Sequence, residues 1–275
     1  MRSIKNLMNL NGRTALITGA TGGIGKEIAC TIAELGSNLI LVDRISSNYD
    51  LIKKKILENC NVNIECIDCD LEDENSRNTL IRGIIKSNIN LDILINNAAF
   101  VGESDLDGWA EDFSRQSLAT WRRALEVNLT APFHLSQAFT PLLMKSNNGS
   151  IINIASIYGV NAPDYSLYNG TNMGNPAAYS ASKGGLIQLT RWLSTTVAPD
   201  IRVNSISPGG VWRNQPEKFV KRYKSKTPLG RMATEEDFKG IIAYLASDLS
   251  LYVTGQNFII DGGWSVQTLI KFFLG

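Results

Sequence analysis

The sequence predicts an α/β protein with a Rossmann-type, doubly wound parallel sheet of about seven strands and helices on both faces. Three observations support this fold. Residues 14–18 form a β-prone run that leads through a glycine-rich turn into a helical segment ending at Gly36. Strand and helix candidates then alternate along the chain, as in parallel sheets. The second strand candidate ends in Asp43, about 20 residues past the turn, where a Rossmann fold places an acidic residue.

The remaining elements follow without a repeat, low-complexity tract or linker, so residues 1–275 are expected to form a single domain. The predicted strands lie at 14–18, 38–43, 62–71, 91–99, 151–155, 201–209 and 257–261. The predicted helices lie at 26–35, 49–58, 73–86, 121–128, 131–144, 179–198 and 234–246. Residues 102–115 are expected to be an irregular loop and residues 210–226 a long insertion.

Composition excludes several classes of protein. A net charge of +1 gives no global attraction to nucleic acid or to an acidic membrane. The first residues lack the sustained apolar core of a signal peptide, and no run approaches the ~20 apolar residues that span a bilayer. The four cysteines fit a reducing compartment. We therefore expect a soluble, cytoplasmic protein that binds neither nucleic acid nor membrane.

Metal chemistry and serine hydrolysis have little support in the sequence. The Cys66-x-x-Cys69 spacing is compatible with a metal or redox site, but it lies in a strand candidate with no second pair or nearby histidine. His134 is the only histidine of the chain, so serine–histidine hydrolysis and a multi-histidine metal site are both poorly supported. We expect structural thiols, a packing histidine and no bound metal.

The glycine turn after the first strand predicts a dinucleotide site. Glycines allow close approach to a pyrophosphate, and the start of the next helix supplies free N–H groups and a favourable dipole. Asp43 is placed to bind the adenosine ribose, where its charge would repel a 2′-phosphate, so NAD is favoured over NADP. Arg44 argues the other way, since a guanidinium can hold that phosphate. Asp70, at the end of the third strand candidate, either contacts adenine or caps the next helix.

Tyr179 and Lys183 form the candidate proton carrier. Four residues apart in a predicted helix, they share one face, and a nearby positive charge favours the phenolate of a tyrosine. Ser156 follows a strand candidate and can hold the oxygen that gains or loses the proton. The same spacing occurs at Tyr49 and Lys53, but no serine at a strand end precedes that pair, and we discard it. Asn128, near the end of a helix candidate, lies either on a solvated face or at a backbone kink.

Several motifs occur in a fixed order: Thr18-Gly19-x-x-x-Gly23-Ile24-Gly25, Asn96-Asn97-Ala98-Ala99, Asn128, Ser156, Tyr179-x-x-x-Lys183 and Pro208-Gly209. From about residue 10 to residue 265, the chain resembles the single-domain branch of the short-chain dehydrogenase/reductase family. Two departures are Asn-Asn-Ala-Ala in place of the commoner Asn-Asn-Ala-Gly, and an interval of 23 positions between Ser156 and Tyr179, which is longer than usual.

This resemblance implies a role for each motif. Tyr179 becomes the acid/base and Ser156 positions the substrate oxygen. Lys183 holds the nicotinamide ribose and lowers the pKa of Tyr179, while the Asn128 backbone supports a water-linked proton relay. A homodimer or homotetramer is also implied, and the apolar tail at 268–275 is expected to pack between subunits. The expected cofactor-binding residues are Gly19, Thr21, Gly23, Ile24, Gly25, Asp43, Arg44, Asp70, Leu71, Asn97, Ala98, Ala99, Tyr179, Lys183, Pro208, Gly209 and Val211.

Two segments bear on the substrate. The tyrosine-rich insertion (residues 158–172) carries Tyr, Asn and Asp, which hydrogen-bond hydroxyls and stack on sugar rings. The basic segment (residues 212–226) corresponds to the family's mobile lid, and it either binds phosphate or carboxylate or forms a solvated helix. We expect a polar small-molecule substrate such as a sugar, sugar phosphate or nucleotide sugar. The interval between Ser156 and Tyr179 is also similar to oxidoreductases of bacterial surface-sugar and flagellin modification.

Two other functions remain open at this point. One is an NADPH-dependent reductase of 3-oxoacyl thioesters, in which basic residues near the entrance would dock an acidic carrier protein. The other is a non-catalytic module that senses nucleotides. The second requires a broken catalytic set, whereas every expected member is present in this chain.

Overall fold

The structure, a computed structural model, describes residues 1–45, 47–101, 106–146 and 148–266. Its strands are β1 (Thr14–Thr18), β2 (Asn38–Asp43), β3 (Ile64–Asp68), β4 (Ile93–Asn96), β5 (Gly149–Ile154), β6 (Ile201–Pro208) and β7 (Asn257–Ile260). They form one seven-stranded parallel sheet in the order β3-β2-β1-β4-β5-β6-β7. The predicted Rossmann-type sheet is therefore confirmed.

Helices cover both faces of this sheet. They are α1 (Ile4–Met8), α2 (Gly23–Glu34), α3 (Asp50–Leu57), α4 (Glu74–Ser87), α5 (Leu118–Leu125), α6 (Ala131–Leu143), α7 (Ala177–Thr196), α8 (Glu217–Lys226) and α9 (Lys239–Ala246). Helices α2, α3 and α9 pack on one face, and α4, α6 and α7 on the other. Neighbours such as Leu16 and Ile17 point to opposite faces, and both are fully buried. Strands β1, β4, β5 and β6 are therefore buried along their whole length.

Most predicted elements differ from the observed ones by a few residues at one or both ends. The third strand ends at Asp68, so Cys69 lies just beyond it, where its backbone N–H donates to the Asp43 carbonyl at 2.7 Å. Both Cys66 and Cys69 are free thiols, and burial raises the pKa of each, which keeps them protonated. Across the described ranges, no group of three or more His, Cys, Asp or Glu residues stands where it could hold a metal ion.

The predicted helices at 121–128 and 131–144 form one continuous helical rod. Helix α5 starts earlier than expected, at Leu118, and runs into a π-helical turn, Glu126–Thr130, which leads directly into α6. The extra residue in that turn displaces the backbone from the regular α-helical pattern. Of the two interpretations of Asn128, the kinked backbone is correct and the solvated face is wrong, because the side chain is fully buried.

The tyrosine-rich insertion and the basic segment pack against each other. Lys226 pairs with Asp164 and donates to Ser166 Oγ at 2.9 Å. Arg222 donates to the backbone carbonyl of Asn169 at 2.5 Å. These basic side chains hold the two segments together, so they are not directed at a substrate.

Aromatic rings continue this contact towards the sheet. The Tyr168 and Phe219 ring centroids lie 5.4 Å apart, and those of Phe219 and Tyr223 lie 5.9 Å apart. Tyr223 stacks on Trp264 at 6.0 Å, and its hydroxyl accepts a hydrogen bond from the Gly210 N–H at 2.6 Å. The two segments thus form one aromatic wall above the carboxyl ends of β5 and β6.

Two expectations fall partly or wholly outside the described residues. The apolar tail at 268–275 lies beyond them, as do residues 102–105 of the predicted loop at 102–115. The described part of that loop is irregular, with one 3₁₀ turn at Phe113–Arg115. Within the described ranges, none of the helices combines the length and apolar character needed to cross a membrane.

Candidate active site

A cleft of about 1220 Å³ runs along the carboxyl ends of the strands, across the point between β1 and β4 where the strand order reverses. This is where open parallel sheets bind their ligands. Of the predicted site residues, Asn128 is the one absent from the cleft lining. The lining includes Gly19, Thr21, Gly23, Ile24, Gly25, Asp43, Arg44, Asp70, Leu71, Asn97, Ala98, Ala99, Ser156, Tyr179, Lys183, Pro208, Gly209 and Val211.

The end of β4 holds the glycine turn in place. The Asn97 side-chain amide donates to the carbonyls of Thr18 at 3.0 Å and of Gly19 at 2.9 Å. In return, Thr18 Oγ1 accepts from the backbone N–H groups of Asn97 and Ala98, each at 3.1 Å. Gly19 has a φ of 63°, and a Cβ there would lie 2.7 Å from the Ala98 Cα. A side chain at this position is therefore excluded by both conformation and space.

The turn leaves an open cradle at the start of α2. The N-cap residue is Gly22, and because glycine has no side chain, no side-chain cap covers the N–H groups of the first turn. A Cβ on Gly25 would lie 2.0 Å from the Gly19 carbonyl oxygen, so this position requires glycine. The free N–H groups and the positive end of the helix dipole point into the cleft. These features fit the diphosphate of a nicotinamide dinucleotide.

Asp43 stands at the expected ribose end of the cleft. Its Oδ2 accepts from the Thr21 N–H at 2.9 Å and from the Thr21 hydroxyl at 2.8 Å. Arg44 is exposed beside it, so both residues of the cofactor argument are in place. Asp70 also lines the cleft, and it does not cap α4, because Asp73 is the N-cap and accepts from the N–H groups of Asn75 and Ser76.

Ser156, Tyr179 and Lys183 meet where β5 and α7 come together. The Ser156 Oγ, two residues past the end of β5, accepts from the Tyr158 N–H at 3.2 Å. Lys183 is buried, and its Nζ donates to the Ile154 carbonyl at 2.7 Å. The same Nζ lies 5.9 Å from the centre of the Tyr179 ring. The long interval between Ser156 and Tyr179 has therefore not separated the three residues.

Burial governs the electrostatics at Tyr179. Burial raises the pKa of Tyr179, while the Ser156 hydroxyl and the charge of Arg213 act to lower it. Burial also lowers the pKa of Lys183, to about 7, so near neutral pH its amine does not carry a full positive charge. Desolvation of both groups dominates these shifts, and the role of Lys183 in lowering the pKa of Tyr179 stays a prediction.

Asn128 acts from behind the cleft wall. Its Oδ1 accepts from the Phe100 N–H at 2.6 Å, and its Nδ2 donates to the Phe100 carbonyl at 3.2 Å and to Ser182 Oγ at 3.0 Å. Phe100 itself lines the cleft. The side chain of Asn128 thus ties the segment after β4 to α7, the helix that carries Tyr179.

The substrate end of the cleft contains residues that the sequence did not single out as site residues. They come from the tyrosine-rich insertion, from the basic segment and from two methionines further along the chain after these segments: Tyr158, Tyr168, Met173, Arg213, Phe219, Tyr223 and Met232. The Tyr158 and Tyr168 hydroxyls are hydrogen-bonded to each other at 2.8 Å. The aromatic content of both segments is a sequence signal for a binding surface. The sequence does not show that the two segments come together, because their contact depends on tertiary packing.

Comparisons with known proteins agree with this geometry. Residues 19–265 match the family model described as enoyl-(acyl carrier protein) reductase. The 3-oxoacyl-acyl-carrier-protein reductase of Thermotoga maritima is 32% identical over 263 residues, covering 93% of this chain and 99% of that protein.

Two solved structures resemble this one along most of their length. A short-chain dehydrogenase from Leptospira borgpetersenii with bound NAD⁺ has a TM-score of 0.81 at 32% identity, covering 96% of each chain. The NADPH-dependent 3-quinuclidinone reductase of Rhodotorula rubra has a TM-score of 0.84 at 26% identity, covering 97% of this chain and 96% of that one.

Fold, cleft and matches together define the class of protein: an oxidoreductase that acts on CH–OH groups with a nicotinamide dinucleotide. The chain belongs to the short-chain dehydrogenase/reductase family.

The electrostatics at Tyr179 generate a pH prediction. Alcohol oxidation needs the Tyr179 phenolate as proton acceptor, so kcat/KM for oxidation should rise with pH. The Ser156→Ala variant loses an interaction that lowers the pKa of Tyr179. The midpoint of its pH profile should therefore move to higher pH. The measurement is a pH–rate profile of both enzymes. Ser180→Ala is the matched control, because its hydroxyl donates to Asn175 Oδ1 outside the cleft lining. An unmoved midpoint in Ser156→Ala would contradict the account.

Proposed function

We propose that this protein interconverts a secondary alcohol and a ketone on a polar substrate of the sugar type, with NAD(H) as its cofactor. The observation that carries the proposal is the position of Tyr179, between the dinucleotide cradle on one side and the tyrosine-lined end of the cleft on the other. Family membership alone leaves the substrate open, since the matched proteins carry names with unrelated substrates.

Side chains of this protein carry out the proton transfer and position the reacting groups. A bound nicotinamide dinucleotide would supply the hydride acceptor for oxidation of the alcohol carbon and, in its reduced form, the hydride donor for reduction of the ketone carbon. Tyr179 takes the hydroxyl proton during oxidation and donates it to the carbonyl oxygen during reduction. Ser156 Oγ accepts from the Tyr158 N–H, which leaves its own hydrogen to be donated to Tyr179 in the free protein and to the substrate oxygen in the complex. Lys183 uses one donor on Ile154 and keeps its others for the nicotinamide ribose.

The ribose end supports NAD. The Asp43 carboxylate is fixed by Thr21 at the edge of the cleft, where a 2′-phosphate would meet a like charge. Arg44 is exposed, and the described contacts of its side chain include no partner that would direct it into the cleft. Because the Asp43 carboxylate is held in place and the Arg44 guanidinium is not, the site favours the 2′-hydroxyl of NAD over the 2′-phosphate of NADP.

The substrate end supports a polar molecule. Tyr158 and Tyr168 supply a linked pair of hydroxyls that can both donate and accept, and aromatic faces beside them can stack on a sugar ring. The lysines of α8 do not support phosphate recognition: Lys218, Lys221 and Lys224 are exposed and do not line the cleft. The interpretation of the basic segment as a solvated helix is therefore favoured at these positions.

A second candidate is a reductase of 3-oxoacyl thioesters, which the name of the Thermotoga maritima relative favours. A substrate panel separates the two candidates: free sugars and polyols, sugar phosphates, nucleotide sugars, and a 3-oxoacyl thioester, each with NAD(H) and NADP(H). Preference for a polyhydroxy substrate with NAD(H) supports the proposal. Preference for the thioester with NADPH, or for an uncharged apolar ketone, overturns it.

Replacing Tyr179 tests the chemistry directly. Tyr179→Phe should lose about 10²- to 10⁴-fold in turnover, the usual contribution of a positioned acid/base, while NADH binding measured by fluorescence stays within about threefold. Tyr165→Phe is the matched control, because that hydroxyl lies in the same insertion but outside the cleft lining. Retained turnover in Tyr179→Phe would move the proton chemistry to another group.

Neutralising Asp43 tests the choice of cofactor. Asp43→Asn keeps a side-chain oxygen for Thr21 and removes the charge, so the ratio of the NADPH Kd to the NADH Kd should fall by about tenfold. Titration of both nucleotides gives this ratio. Asp68→Asn, an exposed aspartate at the end of β3 and outside the cleft lining, should leave it unchanged. An unchanged ratio in Asp43→Asn would refute this role for the carboxylate.

A further inference from the structure

An ion pair stands directly over the dinucleotide cradle. Arg213, in the segment between β6 and α8, and Glu235, at the start of a 3₁₀ turn before α9, both reach the first residue of α2. A Cβ on Gly23 would lie 2.6 Å from Arg213 Nη2 and 2.6 Å from Glu235 Oε1. The absence of a side chain at Gly23 makes room for both charged groups.

The base of Arg213 is fixed, whereas its tip is held weakly. The Arg213 N–H donates to Gln215 Oε1 at 2.7 Å, and Gln215 Nε2 donates to the Val211 carbonyl at 2.7 Å, which sets the local backbone. The guanidinium contacts Glu235 at 3.3 Å, with 48% of the Arg213 side chain and 31% of the Glu235 side chain exposed. Ion pairs of this kind contribute little to stability and exchange readily for a better partner.

The position of this pair coincides with the place where a diphosphate would bind. The start of α2 supplies unpaired N–H groups and a positive dipole end, which attract an anion. A guanidinium there would add charge-assisted hydrogen bonds to the same anion, whereas a carboxylate there would repel it. The Arg213 guanidinium would therefore strengthen dinucleotide binding, and the Glu235 carboxylate would weaken it.

We propose that Arg213 changes partners when the cofactor binds, leaving Glu235 and clamping the diphosphate against the start of α2. This proposal rests on the proposed function, since it requires a dinucleotide in the cleft. In the free protein Glu235 keeps the guanidinium over the cradle and competes with the diphosphate for it. Arg213 is thus a positioning residue for the cofactor, and Glu235 is the residue that moderates affinity.

The other basic side chains on the described part of the cleft either bind other groups or lie at the ribose end, away from the start of α2. Arg123 Nε donates to Glu72 at 2.7 Å, and its guanidinium stacks 4.8 Å over the Phe100 ring. Lys183 is buried against the Ile154 carbonyl. Arg44 follows Asp43 at the ribose end. Arg213 is the basic side chain that combines a place at the α2 start with a replaceable partner.

The test is a titration of NADH and of ADP-ribose, which has the diphosphate but no nicotinamide, into wild type, Arg213→Ala, Glu235→Gln and the double variant. Arg213→Ala should raise both Kd values by about tenfold to a hundredfold, because each loses charge-assisted hydrogen bonds. Glu235→Gln should lower both by about threefold, and this gain should vanish in the double variant. Lys218→Ala, an exposed basic residue nearby, should stay within about twofold of wild type.

Each result decides the proposal. Opposite shifts in the two single variants support it, because an ion pair that only stabilised the fold would shift both in the same direction. Equal or absent shifts overturn it, as does a gain by Glu235→Gln that persists without Arg213, or a loss confined to NADH. If Arg213→Ala does not fold, Glu235→Gln decides alone, and no gain in affinity overturns the proposal. Failure of wild type to bind NADH would instead refute the proposed function.

Discussion

The contact between the glycine turn and the end of β4 is the constraint on which the site depends. The side-chain amide of Asn97 donates hydrogen bonds to two successive carbonyls, those of Thr18 and Gly19. The Thr18 hydroxyl oxygen accepts hydrogen bonds from the backbone N–H groups of Asn97 and Ala98. These bonds join β1 and β4, the strands between which the chain changes direction across the sheet. Because the turn is fixed there, the N-terminus of α2 faces the cleft, and the dinucleotide cradle and the catalytic residues share one edge.

The second half of the site is built by β5 and α7, and it tolerates the tyrosine-rich insertion. A Cβ on Gly159 would lie 2.6 Å from the Lys183 backbone carbon, so the chain crosses α7 in direct contact immediately after the serine. The insertion departs only beyond that crossing and packs on α8. The extra residues therefore enlarge the wall at the substrate end of the cleft. The distances among Ser156, Lys183 and β5 are set by the direct contact between β5 and α7.

Sequence patterns predicted the features that depend on local spacing. The bounds of β1 and β2 are as predicted, and the glycines, Asp43 and the pair Tyr179 and Lys183 line one cleft. Features that depend on burial or on distant segments were not predicted. Helical spacing places Lys183 one turn from Tyr179 but does not show that desolvation raises the pKa of the phenol. Nothing in the local sequence of Arg213 indicates that its guanidinium reaches the start of α2.

The most direct test of this account is NADH binding to Asn97→Asp. A carboxylate in place of the amide would face the carbonyls of Thr18 and Gly19, so the turn should lose its geometry and the NADH Kd should rise by about a hundredfold while circular dichroism stays native. Asn63→Asp, at an exposed asparagine, controls for the added charge. Wild-type affinity in a folded Asn97→Asp protein would contradict the claim that this amide organises the site.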